Sequence, residues 1–175
     1  RTPEQVRDEW LEVMSEVRAA RAGIDESTIQ QQIGENHNRG DFRLSDVTTR
    51  LGNLYTEVNR MNPDEPVRVD RLREMAELQV MLDRFMITND RAANVDGDAW
   101  ERAVRNQAGR FDQVATGDTN ALRDVMLNDA WARVAVDADG NRLMENSDEG
   151  YQRYQGLVRG EATQPREQLS PQEVE

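Results

Sequence analysis

Cysteine is absent from this 175-residue sequence, and with it go disulfides, thiolate metal sites and thiol nucleophiles. Such a chain is indifferent to its redox compartment. Lysine is absent too: all 22 basic residues are arginine. Two explanations stay open, a genome biased towards arginine codons and selection against primary amines, the acceptors for ubiquitin and other acyl groups. Histidine occurs once, as His37. Without cysteine, a zinc site would have to combine that single imidazole with carboxylates, an unusual donor set. No run of 18 apolar residues exists, so no segment is expected to span a membrane. Positive charge is scarce as well. The 34 acidic residues outweigh the basic ones and leave a net charge of −12. That argues against nucleic acid, whose phosphates need a basic surface, and against an anionic membrane surface. Phosphate-cradling glycine loops, dinucleotide fingerprints and His-Glu-x-x-His metalloprotease motifs are all missing. No cofactor and no metal are expected, and no catalytic residue can be singled out. Arg1 in place of Met, with no charged-then-apolar leader behind it, reads as the start of a domain cut from a longer chain.

The patterns that are present are helical. Thr2-Pro3-Glu4-Gln5 forms a capping box with proline at the first helical position. Val6, Trp10, Val13, Met14 and Val17 then share one face, and Gly23 is expected to end the helix in a left-handed conformation. Asp25 can cap a shorter helix carrying Ile29 and Ile33, which Gly34 and the polar run 35–40 should break. Ser45 is the expected cap of the clearest amphipathic helix, with Val47, Leu51, Leu54, Tyr55, Val58 and Met61 in one stripe. The proline-bounded stretch 62–66 stops it and is the one lobe boundary the sequence offers. The segment from Val67 to Ile87 is apolar nearly all round, the mark of a central helix. Asp98-Ala99-Trp100-Glu101 reads as a second capping box, opening a helix that runs through Val104 and Ala108 to Phe111. Thr116-Gly117-Asp118 separates it from a helix with Leu122, Val125 and Met126. Ala132 to Val136 then alternates, and Arg142 to Met144 can pair with it across an Asx/Gly-rich turn, a β-hairpin signal. Ser147 caps a last helix with Tyr151, Tyr154, Leu157 and Val158. The expected fold is therefore mainly α: a single-domain bundle of six or seven helices over residues 1–160, one short hairpin near 132–144, and a polar, flexible tail over 161–175.

Several short motifs carry weak chemical signals. Asp137-Ala138-Asp139-Gly140-Asn141 resembles the start of a calcium loop. Its glycine comes two residues early and Asp148 stands where a bidentate glutamate is needed, so a hairpin turn fits better. Arg39-Gly40-Asp41 matches an adhesion tripeptide but is also ordinary turn chemistry. Met75, Met81 and Met86 fit a core better than an adaptable groove. Trp10 and Trp100 lie on apolar stripes, and Trp131 stands between helix and hairpin.

Three functional classes follow. The first is a protein–protein interaction domain of a larger secreted bacterial effector or toxin, acting in a ubiquitin-rich host cell and meeting a protein partner there. The missing lysine motivates it. The second is a ubiquitin-ligase domain. Without cysteine it could carry no thioester and build no zinc RING, so it would bind a charged ubiquitin-conjugating enzyme and orient its thioester by contacts alone. The third is a structural part of a virion or secretion machine.

Overall fold

A computed structural model describes residues 1–40, 43–91 and 94–161. Eight helical segments occur among them: α1 (Pro3–Arg21), α2 (Glu26–Asn38), α3 (Leu44–Arg60), α4 (Pro66–Thr88), α5 (Gly97–Arg105), α6 (Gln107–Ala115), α7 (Thr119–Val134) and α8 (Asp148–Val158). Only Asn106 separates α5 from α6. Counted as one interrupted helix, the pair brings the number to the upper end of the expected six or seven. Of the expected polar tail, residues 162–175 lie outside the described residues.

The Thr2 capping box forms. Its hydroxyl accepts from the Gln5 amide at 3.1 Å, and the Gln5 side chain accepts from the Thr2 amide at 2.9 Å. The face that α1 presents buries Val6, Trp10, Leu11, Val13, Met14 and Val17. The central element is α4, which packs against α1, α2, α3 and α7. That is why its sequence is apolar nearly all round: Leu72, Met75, Ala76, Val80, Leu82 and Met86 point to different neighbours and are all buried. Leu51, Leu54 and Val58 of α3 join the same core. Arg68, only 8% exposed, donates to the carbonyls of Val58 at 2.7 Å and Met61 at 3.3 Å. One guanidinium thus adds donors at the end of α3, where the Val58 carbonyl also accepts from the Met61 amide at 3.1 Å, and ties the 62–66 turn to α4.

The structure corrects the expected hairpin. No strand forms among the described residues, and Ala132 to Val134 are the last turn of α7. The alternation was misleading because Arg133, which a strand would turn to solvent, points inward to an ion pair with Asp83. All that remains of the pairing is one antiparallel bridge between Val136 and Arg142. The Asp137 carboxylate closes the turn by accepting from the amides of Asp139 and Asn141 at 2.9 and 3.0 Å.

Smaller corrections follow from local competition. Gly34 does not break α2, which continues to Asn38. Asp41 of the adhesion-like tripeptide and the side chain of His37 lie outside the described residues. Helix α1 ends at Ala22 in a right-handed conformation, so Gly23 is not its left-handed cap. Ser45 falls inside the first turn of α3, and Asp96 rather than Asp98 caps α5. Trp10 and Trp100 are fully buried, whereas Trp131 is only partly so.

One glycine sets how closely the 135–147 segment meets α8. A Cβ on Gly150 would stand 1.9 Å from the Met144 carbonyl oxygen, a backbone atom that cannot swing away. Gly150→Ala should therefore destabilise the fold by about 1–3 kcal/mol, the usual range for overpacking. A urea titration followed by circular dichroism measures this, and an unchanged midpoint would show that the segment yields freely.

Candidate functional site

The interior of the bundle holds a cluster of buried charges among apolar side chains. Asp83 on α4 and Asp129 on α7 are each 5% exposed. Arg133, one turn after Asp129, reaches both. Its Nε and Nη2 donate to Asp83 Oδ1 at 3.0 and 2.7 Å, and its Nη1 donates to Asp129. Arg21 from the end of α1 adds a second guanidinium, 2.6 Å from the other Asp83 oxygen. The Tyr154 hydroxyl, from α8, donates to Asp129. Two carboxylates thus meet two guanidinia and one phenol, drawn from four helices.

Burial is the largest single influence on the titration of Asp129, Arg133 and Tyr154. It raises the Asp129 carboxyl above the ordinary carboxylate range, against the opposing pull of Arg133 and the Tyr154 hydrogen bond. Burial opposes the charge of Arg133, but Asp83 and Asp129 outweigh it and hold the guanidinium firmly protonated. Tyr154 is raised by burial first and then by the Asp129 charge. Tyr151 is pushed up to about 12 by the same two causes in the same order, against weaker pulls from Ser15, Arg133 and Arg18. Tyr55, on α3, is raised chiefly by burial.

These are the three tyrosines of the chain, and each has a folded-state value above its unfolded value. The sign of the linkage is fixed by that: their contribution to stability is complete below the unfolded value of 10.0 and is lost as pH rises through the folded values. Tyrosinate absorbance should stay absent at pH 10 and then rise together with loss of helical circular dichroism. A tyrosinate signal at pH 10 in the folded protein would contradict the burial assigned to these hydroxyls.

The cluster forms one wall of a cavity of about 500 Å³ between the end of α1, the start of α2, the C-terminal half of α4, α7, the loop before α8 and the first turn of α8. Met14, Val80 and Met144 supply buried apolar lining. The Gln79 amide crosses to the Met14 sulfur at 3.4 Å. Arg18 bridges the mouth, with its Nη1 2.8 Å from Asp148 and its guanidinium 4.8 Å from the centre of the Tyr151 ring. Five arginines and five carboxylates line the space, so the cavity is neutral in a chain of strongly negative charge.

No family model, curated protein or solved structure matches this chain.

The residues the structure brings together are not those the sequence patterns favoured. Met75 and Met86 belong to the core, with Met81 packed against it, while the methionines facing the cavity are Met14 and Met144. Asp83 and Asp129 lie in no motif, Arg133 stands in the alternating segment and Tyr154 in the stripe of the last helix, and no pattern joins the four. Two signals could have found them: Asp83 interrupts the most apolar stretch of the chain, and Asp129 and Arg133 stand four apart within an apolar helix. Among the described residues, no group of three or more acidic or histidine side chains is placed to hold a metal ion. No described helix is long and apolar enough to cross a membrane.

Proposed function

We propose that this chain is a protein-interaction module that receives part of a partner in the cavity. The protein to which it belongs, in this reading, is a secreted bacterial effector or toxin working in a ubiquitin-rich host cell. The observation that carries the first half is the state of the buried charges. Both oxygens of Asp83 and of Asp129 accept hydrogen bonds, and Arg133 donates from all three of its nitrogens. Groups saturated by one another hold the cavity's shape and leave no oxygen of Asp83 or Asp129 without a donor for general acid–base work. What the cavity offers a visitor is volume, a methionine-lined interior that can adapt to it, and a charged mouth.

Panning a displayed random-peptide library on the immobilised domain tests this. Ala19 is exposed at the cavity lining, so Ala19→Trp fills the mouth at little expense to folding. The reading expects an enriched sequence that wild type retains and Ala19→Trp releases. Failure to enrich any sequence, or equal retention by both, would remove the cavity as a recognition surface.

The host-cell half rests on the missing lysine. Returning lysine at exposed positions should shorten the lifetime of the protein in eukaryotic cells, and a proteasome inhibitor should restore it. Arg7 and Arg18 lie off the apolar stripe of α1, but the structure shows both engaged: Arg7 is 19% exposed against Asp8, and Arg18 is paired with Asp148. Arg60 and Arg123 are better sites, being exposed and without an ion pair among the described residues. Equal half-lives for wild type and Arg60→Lys/Arg123→Lys would leave genomic composition as the account of the missing lysine.

A further inference from the structure

Resting on the module reading above, the geometry points to the chemistry of the partner segment: an apolar side chain that enters the cavity beside a single carboxylate, which Arg84 and Arg142 receive at the mouth. The charges lining the cavity divide unequally once their pairings are followed. Arg18 is held by Asp148, Arg21 by Glu26 and Asp83, and Arg133 by Asp83 and Asp129. Arg84 on α4 and Arg142 in the loop before α8 also line the cavity, are exposed, and have side chains that pair with no described residue. The remaining lining carboxylate, Glu145, already has a partner of its own. The cavity is neutral by composition, but the charge still available to a visitor is positive.

A guanidinium is the side chain suited to planar anions, which it can hold through two parallel hydrogen bonds. Behind the two arginines lie Met14, Val80 and Met144, buried and apolar, so the complementary group has an anionic head and an apolar body. The chain's net charge selects the head. Its long-range field repels any anion, and the repulsion grows with ligand charge. A monoanionic carboxylate meets half the opposition that a dianionic phosphate does while matching the same guanidinium geometry. The partner segment is thus an Asp, a Glu or a chain end next to an aliphatic residue. A basic segment would meet the two arginines at close range and be refused there.

The test uses four probes on the whole chain: hexanoate, hexyl phosphate, hexylammonium and the blocked dipeptide acetyl-leucyl-aspartyl amide. Binding is read from the methyl resonances of Met14 and Met144. The dipeptide and hexanoate should both shift these signals, hexyl phosphate should bind more weakly, and hexylammonium should leave them unmoved. Arg84→Gln/Arg142→Gln should weaken the dipeptide roughly tenfold, the loss expected for two exposed charge-assisted contacts. Because both side chains are exposed and pair with no described residue, the urea midpoint of this variant should match wild type, so weakened binding cannot be ascribed to unfolding. Equal binding of hexylammonium and hexanoate would overturn the inference, as would undiminished binding by the double variant. Hexanoate binding without dipeptide binding would overturn the partner segment and assign the cavity to a free organic acid. Cavity-dependent peptides that come out of panning apolar or basic would overturn the carboxylate while leaving the module reading in place.

Discussion

Arg133→Met should destabilise the domain by about 3–5 kcal/mol at neutral pH, the cost of removing one partner from a buried ionic cluster. Methionine keeps much of the volume of the arginine stem, so the loss comes from charge rather than from a cavity. Asp83 would keep Arg21 at 2.6 Å. Asp129 would be left with the Tyr154 hydroxyl alone. Its carboxyl is already raised by burial with Arg133 in place, and without the cation it must rise further. A carboxyl raised on folding contributes stability below its unfolded value of 3.8, which is lost as pH climbs through the folded value. The gap between Arg133→Met and wild type should therefore narrow as pH falls from 7 towards 4. Urea titrations at several pH values measure it. A gap independent of pH would show that packing, and not the unpaired carboxylate, is what the substitution disturbs.

Leu54→Ala is the second large effect, at about 2–5 kcal/mol. Leu54 is 0% exposed and belongs to the same core as Leu51, Val58, Leu72 and Met75, where α3 lies on α4. The truncation removes apolar contact and leaves a void that helices held on several sides cannot close. Its urea midpoint should fall with little change in slope, and the deficit should not vary between pH 4 and 7. That pH independence separates it from Arg133→Met. A loss under about 1 kcal/mol would show that α3 can settle into the gap.

The two substitutions also mark what the sequence made legible. Leu54 sits in an unbroken stripe at helical spacing, and a stripe predicts burial because only one face of such a helix can avoid water. The same reasoning found α1, α3 and the central place of α4, and the caps at Thr2 and Ser147 are present as side-chain hydrogen bonds. It failed where polarity and burial part company. Arg133 is polar by type and buried by pairing, so a pattern that equates charge with solvent turned the last turn of α7 into a strand. It also failed at glycine. Gly34 predicts a break, yet its penalty of about 1 kcal/mol is small enough for the rest of α2 to override. The cavity was illegible for a different reason. Its lining comes from α1, α2, α4, α7, α8 and the loop before α8, and no spacing along one helix encodes how six segments converge. That Arg84 and Arg142 pair with no described residue is likewise a property of their neighbours in space.

Selective labelling of the methionine methyl groups offers the most direct test that the cavity is the recognition surface. The chain has seven methionines. Met14 and Met144 line the cavity, while Met75 and Met126 are buried in the core away from its lining. On titration with a peptide selected by panning, the account predicts that the Met14 and Met144 signals move in proportion to occupancy while those of Met75 and Met126 stay in place. Unmoved Met14 and Met144 signals at saturating peptide would contradict it.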